Sequence, residues 1–220
     1  MQRIKNPFKR KKRLKLRRII QRFNVACSRL WSRVGHAFAY LAGNIKRRAF
    51  LAKLRQGDII LASPRTLKLS PVNLMYRLLL RARYVHSMLY LGDGKIIHTT
   101  TKRGVLISHV PRKIFKKAHY NVFRIKHLSR EQREQVIQEA LKLRGQQLDL
   151  AGLITNIPAR VLGFRKPLLR LEQNRLWCAK LIYKAYSAAG IELVPSENKE
   201  NIISEDLSHS PLLSSISHKR

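Results

Sequence analysis

Residues 84–100 read Y-V-H-S-M-L-Y-L-G-D-G-K-I-I-H-T-T. Two runs rich in β-branched and aromatic residues flank a G-D-G turn, the pattern of a β-hairpin. Its register depends on the length of the loop. With a two-residue loop, Asp93-Gly94, Leu89 faces His98, and His86 and His98 point to opposite sides of the sheet. With a three-residue loop, Gly92-Asp93-Gly94, Met88 faces His98 and His86 becomes the diagonal neighbour of His98 on the same side. A three-residue loop wants a glycine in the left-handed conformation at its last position, and Gly94 supplies it. Diagonal neighbours stand roughly 7–8 Å apart, within reach of two imidazole rings. The register that suits the turn is the one that pairs the histidines.

Around the hairpin the same grammar continues. G-D-I-I-L-A at 57–62 precedes it as a short buried strand. After it, K-R-G turns the chain into V-L-I-S at 105–108, and Y-N-V-F-R-I at 120–125 makes a fifth strand. The spacing of the turns predicts an antiparallel meander. A helix is expected over 129–144, opened by Ser129 and carrying apolar Val136, Ile137, Ala140, Leu141 and Leu143 on one side. Glu131 and Glu134 lie on that helix among Arg130 and Arg133, a solvated face rather than a carboxylate pair. Strands and helices segregate along the chain, so the class is α+β.

The last helix carries the second chemical feature. Residues 174–190, N-R-L-W-C-A-K-L-I-Y-K-A-Y-S-A-A-G, repeat apolar side chains at Leu181, Ile182, Ala185, Tyr186 and Ala189. Lys180, Lys184 and Ser187 fall opposite, and Asn174 and Gly190 suit the two caps. Cys178 then sits in or just after the first turn, where helix N–H groups and the dipole favour a thiolate. By itself that position fits a small buried core residue as well as a nucleophile. A Pro/Ser-rich tail follows.

Charge is the compositional anomaly. The 220 residues hold 46 Lys and Arg against 12 Asp and Glu, for a net +34. Residues 1–55 contain 18 of the basic residues and no acidic one, leaving 28 basic and 12 acidic for residues 56–220. Both parts favour an anionic partner, the first far more strongly. The 45% of apolar residues is enough for a real core. Two cysteines, Cys27 and Cys178, cannot make a disulfide framework and lack metal-ligand spacing. Reduced thiols in a cytosol-like compartment are therefore expected, with no metal or cofactor. No apolar run is long enough for a transmembrane helix, and none forms the clean apolar region of a signal peptide.

Residues 1–55 read as a basic extension, residues 56–216 as the folded domain and residues 217–220 as a tail. Within the extension, 3–18 is a dense cationic run. Over 19–45, Ile19, Phe23, Cys27, Leu30, Val34, Phe38, Leu41 and Ile45 recur at intervals of three or four, with Arg22, Arg29, Arg33 and His36 on the other side. That is a basic amphipathic helix suited to an anionic membrane surface. It would also serve as a helix packed on its own domain, or as an arm gripping nucleic-acid phosphates.

Four motifs in order now carry a resemblance: G-D-I-I-L, V-H-S-M-L-Y-L-G-D-G-K-I-I-H, W-C-A-K-L-I-Y-K-A-Y-S-A-A-G-I and S-E-D-L-S-H-S-P-L-L. Together, over roughly 56–216, they resemble the circularly permuted papain-like enzymes. These are the YaeF/YiiX-type amidase group of the NlpC superfamily, with the lecithin:retinol acyltransferases as relatives. The histidine strand comes first and the cysteine helix last, the reverse of ordinary papain. The resemblance implies a permuted papain-like fold with Cys178 as nucleophile, His86 as general base and His98 as the group orienting His86. In the amidase group the last position is often Glu; this chain has His, as the acyltransferase-like relatives do. That departure bears on the substrate more than on the machinery. Asp149, in Q-Q-L-D-L, also resembles a family position, but a turn or cap role is expected of it. His109, His119 and His127 have no motif support and are expected at the surface.

The expectation is a thiol hydrolase that forms a thioester on Cys178 and cleaves an amide or peptide-like bond. The alternative is a lipid acyltransferase or phospholipase working at an anionic membrane surface, where the cytoplasmic protein would be peripherally bound through residues 1–55. A non-enzymatic basic protein binding membrane or nucleic acid is the third reading, and an intact Cys/His/His set argues against it.

Overall fold

A computed structural model describes residues 47–64, 71–110, 118–169, 175–195 and 199–216. The helix expected over 19–45, Cys27, the cap Asn174 and the tail 217–220 lie outside the described residues. The chain divides into two units, Met1–Arg48 and Ala49–Arg220, and the second carries everything that follows.

Its centre is a six-stranded antiparallel sheet. The strands are β1 (Ile59–Pro64), β2 (His86–Gly92), β3 (Lys95–Thr100), β4 (Gly104–His109), β5 (Ala118–Ile125) and β6 (Leu213–Ser215). Their spatial order is β4-β3-β2-β1-β5-β6. The first four form the expected meander, but β5 does not continue it: it pairs with β1, on the far side. Residues 110–117 separate β4 from β5, a longer stretch than a tight hairpin needs. β6, from the Pro/Ser-rich tail, completes the edge beside β5.

β1 is apolar throughout because it is central. Ile59, Ile60 and Leu61 are each 0% exposed. Ile59 and Leu61 face a large core shared with the helices, while Ile60 and Ala62 face a second cluster with Met88, Tyr90, Ile96 and Val122. Phe50, Leu51 and Leu54, ahead of β1, pack against that second cluster. Buried Asp58 fixes the approach to β1. It accepts from Arg55 N at 2.7 Å and holds the Arg124 guanidinium through two contacts of 2.7 Å. A buried carboxylate needs such partners to offset its lost hydration.

Among the described residues the sheet is flanked by helices α1 (Pro71–Leu79), α2 (Arg130–Lys142), α3 (Leu150–Val161), α4 (Cys178–Ala188) and α5 (Ser204–Ser208). α2 opens with a capping box between Ser129 and Gln132, and Glu134 pairs with Arg130 on its exposed side. α4 packs on α2 and on β2 and β3. Its Leu181, Ile182, Ala185 and Tyr186 are each 0% exposed, and Leu181 and Ile182 contribute about 1.5–3 kcal/mol each. Trp177, not Asn174, is its cap residue, while Gly190 takes the expected left-handed conformation after its end. Lys180 departs from the expected polar face. It is 2% exposed, 2.7 Å from Glu200 and over the Trp177 ring. The 199–202 segment covers it and supplies the carboxylate.

Three helices were not expected from the sequence: the short α5, in what reads as a Pro/Ser-rich tail, and the longer α1 and α3. α1 and α3 contact each other and enclose a third apolar cluster with Tyr76, Ile157 and Ile203. Asp149 is the cap of α3, its Oδ1 accepting from Gly152 N at 2.8 Å. No helix among the described residues is long and apolar enough to cross a membrane.

Candidate active site

The hairpin resolves its register by combining both loop types. Gly92 pairs with Lys95 around the two-residue turn Asp93-Gly94, where φ is +50° and +70°. A bulge between Tyr90 and Gly92 then shifts the ladder by one, giving Tyr90↔Ile96 and Leu89↔Ile97. This is the register expected to bring the histidines together. Pairing stops at Leu89↔Ile97 although both strands continue, to His86 on one side and Thr100 on the other.

The histidine rings bridge that opening. His86 Nε2 lies 3.2 Å from His98 Nδ1, with ring centroids 5.4 Å apart in an edge-to-face arrangement. His98 Nε2 in turn lies 3.0 Å from Ser108 Oγ on β4. Burial, reinforced by the charge of His86, pushes His98 down to about 4, so His98 is neutral at pH 7. With Nε2 of His86 engaged, Nδ1 is the nitrogen left for a thiol.

Cys178 is the first residue of α4 and is half-buried. Burial pushes its thiol pKa up, but a hydrogen bond from His86, the charge of that ring, the backbone N–H of Ser87 and the Ser204 hydroxyl together outweigh it. The thiol is brought down to about 6. Its Sγ is 3.7 Å from Ser204 Oγ. As an N1 residue, Cys178 also presents a backbone N–H with no acceptor within the helix.

Ser204 was not singled out in the sequence, where it belongs to the S-E-D-L run. Three neighbouring side chains fix its place. Trp177 Nε1 donates to Ile202 O at 2.7 Å, tying the start of α4 to the residues before Ser204. Glu205 accepts from the backbone N–H groups of Arg83 and Tyr84 at 2.6 and 2.8 Å, tying α5 to the approach to His86. Asp206 accepts from Ile203 N and binds Arg160 of α3 through both oxygens. The motifs that contain these residues entered the resemblance without a role for any of them, because their partners are backbone groups or lie far along the chain.

Cys178 and His86 open on a cavity of about 290 Å³. Its walls are mostly apolar, from Val72 and Tyr76 of α1, Leu150 and Leu153 of α3, and Ile203. Tyr76 donates to Leu153 O at 3.0 Å, and burial holds its phenol far above the ordinary range. It is a wall rather than an acid. One polar atom on the wall is left over: Thr99 Oγ1 is buried and has no hydrogen-bond partner among the described residues.

The site thus brings together Cys178, His86 and His98, the three residues singled out in the sequence. His109, His119 and His127 are exposed, and Asp149 acts as a cap. No group of three or more His, Cys, Asp or Glu side chains suited to a metal occurs among the described residues. No protein-family model matches the chain, and no curated protein matches it in sequence.

Proposed function

We propose that the chain is a cysteine hydrolase that forms a thioester between Cys178 and an apolar acyl group taken from an amide or an ester. The observation that carries this reading is the unbroken chain from the lowered Cys178 thiol through His86 and His98 to Ser108. A nucleophile, a base within hydrogen-bond reach and a group orienting that base are the parts that acyl transfer requires.

In the first step His86 takes the proton of Cys178, giving a thiolate beside an imidazolium. The imidazolium donates from Nε2 to neutral His98. Sγ attacks the carbonyl carbon, a C–S bond forms, and the carbonyl electron pair moves to oxygen. The N–H of Cys178 at the start of α4 is a donor for that oxyanion. Collapse expels the amine or alcohol, which takes the proton from His86. Water, deprotonated by His86, then attacks the thioester and releases the acid. An alcohol or amine in place of water would make the same site a transferase.

The cavity walls favour an apolar acyl group, as in a lipid. The second reading, a peptide-like amide, has the unpartnered Thr99 Oγ1 in its favour, since a buried hydroxyl can pair with an amide group of the substrate. Incubation with acyl amides, lipid esters and peptides, followed by intact-mass detection of an adduct on Cys178, tests both. An adduct that accumulates in His86→Ala only slowly, and never in Cys178→Ser, is expected. The absence of any adduct, with the thiol no more reactive than a free cysteine, would return Cys178 to the core.

A further inference from the structure

α1 and α3 are apolar on two sides. On α1, Val72 and Tyr76 turn inward, while Leu74, Met75, Leu78 and Leu79 are exposed, up to 69% for Leu78. On α3, Ile157 and Ala159 are buried, while Leu150, Ile154 and Val161 form an outer stripe at helical spacing. Leu162, Phe164, Leu168 and Leu169 extend it, and Leu169 N bonds back to Thr155 Oγ1 of α3 at 3.1 Å. Among the described residues, every large apolar side chain that is mainly exposed, Leu212 apart, lies in these two segments. A helix apolar all round is ordinarily covered on all sides, and exposed apolar surface concentrated in one place marks an interaction site.

We infer that this face docks the domain on an anionic lipid surface, with the mouth of the Cys178 cavity turned toward the lipid. Two observations select that occupant. The first is charge: neither 71–83 nor 150–169 contains an acidic residue, whereas Arg77, Arg81, Arg83, Arg165 and Lys166 punctuate the leucines and Arg160 is held by Asp206. Apolar side chains interleaved with cations suit the boundary between headgroups and acyl chains. The second is continuity: Leu150 is both 47% exposed and part of the cavity wall. An acyl chain leaving the bilayer would therefore pass from one apolar surface to another without crossing water. The docking face is distinct from residues 1–55 and adds apolar insertion to their electrostatic attraction. Its purpose, though not its existence, rests on the acyl-hydrolase reading.

The test uses the full chain and vesicle flotation. Leu78 and Leu162 lie outside the cavity wall, so Leu78→Glu/Leu162→Glu puts two charges on the face without touching the site. Partition onto phosphatidylcholine vesicles containing phosphatidylglycerol should fall by roughly tenfold or more. Leu78→Met/Leu162→Met should keep it, and iodoacetamide should label Cys178 at the unaltered rate in both. Flotation unchanged by the two glutamates would overturn the inference. So would failure of the unaltered chain to float, or a dimer in gel filtration that the glutamates dissociate. If Cys178 proves unreactive while flotation still depends on Leu78 and Leu162, the docking face stands and the hydrolase reading falls.

Discussion

His98 Nδ1 lies 3.2 Å from His86 Nε2, and His98 Nε2 lies 3.0 Å from Ser108 Oγ. A histidine in the place where a carboxylate would orient the base has a consequence. For His86 to donate from Nε2, as the proposed mechanism requires, neutral His98 accepts at Nδ1 and carries its proton at Nε2, toward Ser108. That tautomer keeps a proton on His86 Nε2 and leaves Nδ1 for the thiol. Unlike a carboxylate, it adds no negative charge to stabilise the imidazolium, so the thiolate itself and the Ser87 and Ser204 contacts share the stabilisation of the ion pair.

The thiol should titrate low. Alkylation of Cys178 by iodoacetamide should rise with pH through a midpoint near the value of about 6 set by its surroundings, well below an ordinary thiol. His86→Ala removes the hydrogen bond and the charge while leaving the burial, so the midpoint should move up beyond that of a free cysteine. Peptide-resolved mass spectrometry separates Cys178 from Cys27. A midpoint unchanged by His86→Ala would show that His86 does not hold the thiolate.

His98→Phe should remove the acceptor for His86 Nε2–H while filling the space. A loss of about 10²–10⁴ in kcat/KM is expected, with little change in KM, because a group that orients the base acts on the transition state. His98→Asn, which keeps an acceptor, should recover part of that loss. Equal activity in the two variants would reduce His98 to packing.

The same residue predicts a pH dependence of stability. In the unfolded chain His98 takes up a proton as pH falls through its ordinary value of 6.5; folded, it does so only near 4. Between those values the unfolded chain binds more protons, so stability is full above about 6.5 and is lost as pH drops toward 4. The loss is on the order of 2–3 kcal/mol. Urea midpoints measured from pH 7 to pH 4 should fall accordingly, and His98→Asn should flatten that slope. An equally steep slope in the variant would assign it to other groups.

The hairpin and the cysteine helix were legible because each carries a local signal: alternating apolar residues about G-D-G, and a 3.6-residue period after Cys178. α1 and α3 were not, for the same physical reason that makes them of interest. In P-V-N-L-M-Y-R-L-L and L-A-G-L-I-T-N-I-P-A-R-V the apolar residues occupy two sides of the helix, which erases the polar–apolar alternation that identifies one. Pro158 and Gly152 further weaken the helical pattern of α3. The pairing of β5 with β1 is a long-range choice that no turn signal encodes. Ser204 meets Cys178 only through the fold, as spatially assembled sites do.

Gly104 should be the least replaceable glycine described. It opens β4 at φ +61°, and a Cβ there would lie 2.1 Å from Gln146 O and 2.9 Å from Gln147 Cα, both backbone atoms. The neighbouring contacts Val105 N to Gln146 O, 2.8 Å, and Gly145 N to Val105 O, 2.9 Å, clamp that loop to the strand. Gly104→Ala therefore combines left-handed strain of about 1–2 kcal/mol with displacement of the loop leading to Asp149 and α3. A loss of roughly 3 kcal/mol or more in urea unfolding is expected. Gly145→Ala, strained but with nothing near its Cβ, should cost only the first part. Equal costs would show that the close approach to Gln146 is unimportant.

Two truncations separate the basic extension from the domain. Residues 49–55 belong with the sheet: Phe50 packs edge-to-face on Tyr120 at 4.8 Å, Leu51 and Leu54 cover the second cluster, and Lys53 O accepts from Arg124. Deleting residues 1–46 should leave the domain folded and Cys178 reactive. Deleting residues 1–55 should in addition lose on the order of 3 kcal/mol from the uncovered apolar surface, read as a lower thermal midpoint. The shorter truncation also removes 14 of the 18 basic residues of the extension, leaving Arg47, Arg48, Lys53 and Arg55. Each such charge near an anionic surface is worth about 1 kcal/mol before screening. If the acyl group comes from lipid, activity on anionic vesicles should fall steeply while hydrolysis of a soluble ester is spared. If the substrate is a soluble amide, both truncations that remain folded should turn over as the full chain does. Nucleic acid released by the first truncation, with vesicle binding unchanged, would assign the extension to phosphate backbones instead of membranes.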